Sequence, residues 1–100
     1  MTAKKIAGTL GLIRRAGKIT AGTYLVCEEI RRGKAAIVLI ASDAGQDGER
    51  KLSRLAGHHG IPVRRIDLTK AQLGAAIGKK GETTCVTVPK EFLNFVWTSL

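Results

Sequence analysis

Adjacent basic residues recur along the chain at Lys4-Lys5, Arg14-Arg15, Arg31-Arg32, Arg50-Lys51, Arg64-Arg65 and Lys79-Lys80. Cationic side chains at element ends, together with helix N-terminal amides, hold phosphate oxygens; such contacts position a nucleic acid without reading its bases. Any one of these pairs is also what an ordinary solvated face looks like. The ensemble says more, because the 100 residues carry 17 Lys+Arg against 8 Asp+Glu, a formal net charge of +9. That excess points to an acidic polymer as partner. With 44% apolar residues the chain is also rich enough to build a core, which a disordered basic tail is not.

Two segments could bring those cations to a ligand. Ala21-Gly22-Thr23-Tyr24 precedes an apolar helical stripe, so its amides and the Tyr24 ring could meet a phosphate or a base edge; a half-buried packing role for Tyr24 is the alternative. Ile77-Gly78-Lys79-Lys80-Gly81 has the look of the GXXG loop of a KH domain, which clamps a nucleic-acid backbone. A KH loop joins two helices, however, and here the β-branched segment Thr83–Val88 must follow as a strand, so a basic loop in another fold is the better reading. The aromatics are Tyr24, Phe92, Phe95 and Trp97, three of them clustered near the C-terminus. They make no stripe interleaved with cations, which disfavours single-strand stacking modes of the RRM or OB kind.

Catalytic and metal-binding constellations are missing. Asp43 follows a buried strand, where an α/β enzyme could place a carboxylate, but no second carboxylate, histidine partner or phosphate-cradling glycine loop accompanies it. It reads as a cap on the turn after the strand. Cys27 and Cys85 are 58 positions apart without a C-x-x-C spacing, and read as small buried hydrophobes of a reducing compartment, with a single long-range disulfide as the alternative. His58 and His59 are adjacent, so on a helix they point about 100° apart and cannot chelate one ion. His59 reads as core-facing or capping and His58 as solvated. No cofactor or metal is expected. No apolar run approaches the roughly 18 residues of a membrane span, and Met-Thr-Ala-Lys-Lys leads into no long apolar segment. The expectation is a cytoplasmic protein, not an enzyme, forming one domain over residues 1–100.

The elements that must position these residues alternate regularly. Ile6, Leu10 and Ile13 predict a helix over 3–16 closed by Gly17, with Gly8 and Gly11 suggesting a close neighbour. Lys18-Ile19-Thr20 is then a very short strand. Val26, Cys27 and Ile30 give a helix over 22–32, ended by Gly33 in the left-handed conformation. The run Ala35–Ala41 is apolar without alternation, as in a central strand covered on both faces. Asp47 can cap a third helix carrying Leu52, Leu55, Ala56 and His59, stopped by Gly60 and Pro62. Val63–Ile66 is the next strand. Thr69 and Gln72 have capping-box spacing and Leu68 and Leu73 hydrophobic-staple spacing, so a helix starts there and ends at Gly78. After the strand Thr83–Val88, Pro89 opens a last helix with Phe92, Phe95 and Val96 inward and Leu93 and Trp97 on a second ridge. This alternation implies an α/β chain with a mostly mixed sheet between helical layers.

Several of these residues form one series: Leu10-Gly11-Leu12, Arg15-Ala16-Gly17-Lys18, Gly22, Arg32-Gly33-Lys34-Ala35, Ala41-Ser42-Asp43-Ala44 and Leu73-Gly74-Ala75-Ala76-Ile77-Gly78-Lys79. The series, spanning about residues 6–88, resembles the kink-turn-binding family of large-subunit ribosomal proteins (the L-seven-Ae and L-thirty-e type), and within it the bacterial YlxQ-like branch. The resemblance implies a three-layer α/β/α sandwich with a four-stranded sheet. It also implies binding to structured RNA, typically a sharply bent duplex with tandem sheared G·A pairs. The family's RNA site centres on the start of the second helix, which Gly22 and Thr23 match. Tyr24 stands where a base-reading Asn is expected, Leu25 where Glu is common, and Glu28 where the family has Lys. Arg32 and Lys70 occupy positions at which family members use basic residues on RNA. The loop that usually forms an apolar lip here reads Lys79-Lys80-Gly81-Glu82-Thr83.

The resulting expectation is a monomeric, non-catalytic protein that docks structured RNA at Gly22, Thr23 and Tyr24. Lys18, Arg32 and Lys70 would hold phosphates around that turn, and Lys79 and Lys80 would close the far side. By resemblance the partner is ribosomal RNA or a ribosome-associated RNA, with the ribosome or its associated proteins alongside. The alternative is a protein-interaction module on the same fold, favoured by Tyr24, Leu25 and Glu28 at the helix start.

Overall fold

A computed structural model describes residues 3–100. Along the chain run α1 (Ala3–Arg15), β1 (Thr20–Ala21), α2 (Thr23–Arg31), β2 (Ile37–Ile40), α3 (Gln46–His58), β3 (Val63–Arg65), α4 (Lys70–Ala76) and β4 (Cys85–Val88). A 3-10 turn over Lys90–Phe92 then leads into α5 (Leu93–Ser99). The sheet order is β1-β4-β2-β3, with β4 antiparallel to β1 and β2, and β3 parallel to β2.

All four residues of β2 are buried, and successive strand residues point to opposite faces. Ile37 and Leu39 therefore join Leu10, Ile13, Leu73 and Val96 in a core under α1, α4 and α5. Val38 and Ile40 join Val26, Ile30, Leu52 and Ala56 under α2 and α3. Two cores on one strand explain why the segment shows no alternation, and they produce the three-layer α/β/α sandwich with a mixed sheet. Cys27 and Cys85 are free thiols buried in the second core.

The local signals at α4 form as the spacing requires. Gln72 N donates to Thr69 Oγ1 at 3.1 Å while Thr69 N donates to Gln72 Oε1 at 2.9 Å, a complete capping box. Leu68 and Leu73 are both buried in the first core. Asp43 also serves this helix: its Oδ1 accepts from Lys70 N at 2.7 Å, so it caps α4, across the sheet end, rather than the turn that follows β2.

Three local expectations are corrected. The first strand lies at Thr20–Ala21 instead of 18–20, because Lys18 N is still engaged on Ile13 O at 3.2 Å in closing α1. Gly45, in extended conformation, is the N-cap of α3, and Asp47 sits inside the first turn, 3.9 Å from Arg50. In the last helix Phe95 points outward. The opening 3-10 turn, with Phe92 N on Pro89 O at 3.0 Å, resets the helical phase so that Val96 and Ser99 face inward. Ser99 then bonds the buried hydroxyl of Thr9 on α1. Of the two glycines in α1, only Gly11 marks a close neighbour, the Ala76 carbonyl; His59 is exposed at the C-cap of α3.

β1, β2 and β3 all end, and β4 begins, at one end of the sheet, since Ile40 is opposite both Cys85 and Arg65 and Ala21 is opposite Val86. α2, α3 and α4 start there. The segment between α4 and β4 runs back along α4 to reach that end, with Thr83 N on Lys70 O at 3.0 Å. It lies so close that a Cβ on Gly74 would be 1.9 Å from the Gly81 carbonyl oxygen. Only glycine permits this approach. Gly74→Ala should therefore cost about 1–3 kcal/mol through overpacking, read as a lower denaturant midpoint. Gly57→Ala, on α3 with open space at its Cβ, should be neutral or stabilise by up to about 1 kcal/mol.

Candidate nucleic-acid interface

The start of α2 is shaped by Gly22, whose φ of 94° and ψ of 147° only glycine adopts readily. Its N–H donates to Cys85 O at 3.0 Å, and its carbonyl accepts from Val26 N at 2.9 Å, the first bond of the helix. No side chain caps this terminus. The amides of Thr23, Tyr24 and Leu25 thus lack helical partners and carry the positive end of the helix dipole. The bond from Gly22 N to Cys85 O fastens the turn to β4. Burial pushes the Cys85 thiol up to about 11, against the pull of the Thr23 hydrogen bond and with Cys27 adding to the rise. The residue that holds the turn therefore carries a protonated, inert thiol at neutral pH.

Tyr24 is 74% exposed and Leu25 52% exposed, which removes the half-buried packing role for Tyr24. Leu25 and Glu29 form one wall of a cleft of about 400 Å³ beside β1; the other wall is Gly78 and Lys79, with Arg14 from α1. The Arg14 guanidinium lies against Gly78, 3.0–3.2 Å from where a Cβ would be, and Gly78 itself has φ of 74°. Arg14 thus braces the basic loop from behind, a role that the Arg14-Arg15 doublet did not reveal because its partner is 64 positions away.

Lys79 is opposite Leu25 of the α2 start across the cleft, and Lys70 and Gly22 are both tied to the β4 segment, through Thr83 N and Cys85 O. Lys70 is the first residue of α4, its Nζ 3.9 Å from Glu82, and it is linked to the turn through the lead into β4. Lys79 and Lys80 are exposed in the loop. Lys18 and Arg32 stand apart. Arg32 is the C-cap of α2, about 13 Å along the helix from Thr23. Lys18 lies at that same far end, where it lines a separate concavity of about 640 Å³ with Gly33, Lys34 and Lys90, its Nζ 3.9 Å from Glu91. Glu28, the reversed charge near the turn, is paired with Arg31 at 3.1 Å, so much of its field is already balanced. Among the described residues no group of three His, Cys, Asp or Glu gathers as metal ligands, and no helix is long and apolar enough to cross a membrane.

Comparison with known proteins fits this geometry to a family. The model of the ribosomal protein L7Ae/L30e/S12e/Gadd45 family matches residues 4–93. The RNA-binding protein YlxQ of Bacillus subtilis is 32% identical over 85 residues, which cover 85% of this chain and 84% of that protein. A solved structure of a Bacillus halodurans protein of unknown function superposes with a TM-score of 0.87 at 30% identity, covering 98% of this chain and 97% of the other. The Giardia lamblia 15.5kD RNA binding protein shares the fold, with a TM-score of 0.76 at 21% identity over 98% of this chain and 89% of its own. The chain therefore belongs to the ribosomal protein L7Ae/L30e/S12e/Gadd45 family, in its YlxQ-like bacterial branch.

Proposed function

We propose that the protein binds structured RNA without catalysis, and that its preferred ligand is a sharply bent duplex of the kink-turn type. The observation that carries this reading is the uncapped, exposed start of α2 facing Lys79 across a cleft. Free helix amides suit a phosphate or a base edge there, and the Tyr24 ring suits stacking on an extruded base in place of the Asn of the family pattern. Lys70, Lys79 and Lys80 bind phosphates near the bend, while Lys18 and Arg32, at the far end of α2, meet the flanking stem. In this reading the protein acts as a cytoplasmic monomer, one domain over 1–100, on ribosomal or ribosome-associated RNA. The adjacent exposed Tyr24 and Leu25 favour a second reading, in which the helix start docks a protein.

A titration of kink-turn RNA and of a straight duplex of equal length, across salt, separates the two. The RNA reading expects at least a tenfold preference for the bent RNA, about 1.4 kcal/mol. If about six phosphates are neutralised, the log–log salt slope is near −5. Equal weak affinities would remove the kink-turn reading and leave only nonspecific charge attraction.

Glu28→Lys releases Arg31 and adds a cation close to the proposed phosphate path. It should tighten bent-RNA binding several-fold and steepen the salt slope by about one; an unchanged slope would put Glu28 away from the phosphates. Gly22→Ala strains the turn by about 1–3 kcal/mol and displaces the α2 amides. Affinity for the bent RNA should fall at least tenfold while straight-duplex binding stays within twofold, both measured by fluorescence anisotropy.

A further inference from the structure

A strongly basic groove outside the proposed site lies between α2 and α3. It has a volume of about 410 Å³ and is lined by Arg31 from the last turn of α2 and by Arg50, Lys51, Arg54 and His58 of α3, with Leu55 at its base. Asp47 is the one acidic side chain on it; it is fully exposed at the α3 N-terminal end and lies 3.9 Å from Arg50. Lys51 and Arg54 are exposed and have no ion-pair partner among the described residues. Leu52 and Ala56 turn the opposite side of α3 into the core, so the cations form a stripe whose direction is fixed by packing.

The chemistry of this groove is that of a phosphate track. Arg50, Arg54 and His58 follow one another at single-turn spacing, a rise of about 6 Å each, which sets successive donors along a line as a polynucleotide backbone requires. No Phe, Tyr or Trp lines it, so the imidazole of His58 is its one ring and it lacks the series of large platforms that single-strand stacking uses. The apolar centre that a protein interface needs is also lacking, since Leu55 alone supplies it and is only half exposed. The groove and the cleft beside Lys79 are on opposite flanks of α2: Leu25 and Glu29 face the cleft, whereas Arg31 faces α3. Tyr24 is on the Arg31 side of the helix, two turns or about 10 Å nearer its start.

We propose that this groove is a second RNA site, which holds the backbone of a further duplex segment through its phosphates, independently of sequence, while α2's start engages the first. The protein then joins two RNA segments, one at the start of α2 and one along α3. The proposal rests on the RNA-binding reading above but uses none of the same residues.

The test uses the full chain and the triple variant Arg50→Ala, Lys51→Ala, Arg54→Ala. These side chains are exposed on a helix, where alanine is a good former, and a thermal melt verifies folding. A second variant, Arg50→Lys with Arg54→Lys, keeps the charge. For the straight duplex, the alanine variant should bind at least tenfold more weakly, with a log–log salt slope shallower by about three, and the lysine variant should stay near wild type. Affinity for kink-turn RNA should change less than twofold. Kink-turn RNA held on a surface and saturated with wild type should capture a labelled straight duplex, and with the alanine variant should not. Unchanged straight-duplex binding in the alanine variant overturns the proposal. So does a proportional loss on both RNAs, which makes α3 part of a single site, or displacement of the duplex by polyglutamate of matched charge, which marks a generic acidic-protein surface. Loss of bent-RNA preference in the wild type sinks the kink-turn reading alone, because the straight-duplex comparison does not depend on it.

Discussion

The arrangement of this molecule depends on β2 being covered on both faces. Its four buried residues commit α1, α4 and α5 to one side and α2 and α3 to the other. Once β2 lies between β4 and β3, parallel to one and antiparallel to the other, the helices that follow β1, β2 and β3 must all begin at the same end. That end collects the α2 turn, the Asp43 cap of α4 and the lead into β4. Backbone bonds join the lead into β4 to α4 and β4 to the α2 turn, and the Asp43 carboxylate holds the first amide of α4. The candidate RNA surface is thus a by-product of sheet topology, into which a few exposed side chains have been set.

Signals that act within a few residues were legible in the sequence. The capping box and staple at Thr69–Leu73, the inner stripes of α1 and α2, the left-handed Gly33 and the doubly covered β2 all follow from spacing that local physics enforces. What escaped depends on residues far apart in sequence. Nothing near Asp43 says that its carboxylate will reach across to Lys70 N, and nothing near Gly74 says that Gly81 will be laid against it. The division of the site has the same origin: Lys18 and Arg32 are near Gly22 and Thr23 in sequence or on the same helix, but β1 and α2 carry them to the opposite end.

The basic doublets that first suggested a nucleic acid are not equivalent in the fold. Arg65 donates to the carbonyls of Ala41 and Ser42 and pairs with Glu49, holding the turn between β2 and α3. Arg64 lies 5.1 Å from the Trp97 ring centroid, a cation–π contact between β3 and α5. Arg14 is occupied against Gly78. These arginines hold structure, so the net charge overstates the number of cations available to a ligand. Lys79 and Lys80 stay exposed in their loop, and Lys51 and Arg54 stay exposed along α3.

The two strands at the margins of the sheet have a consequence for how the chain behaves among its copies. β1 contributes only Thr20 and Ala21, and β3 only Val63, Arg64 and Arg65. An open margin with a long row of unpaired amides is a template for another chain, and short or charged margins are a recognised protection against it. Here both margins are too brief to offer a long row of amides, and arginines fill two of the three positions of β3. A sandwich whose central strand is wholly apolar, and would be hazardous if exposed, thus carries only short open margins.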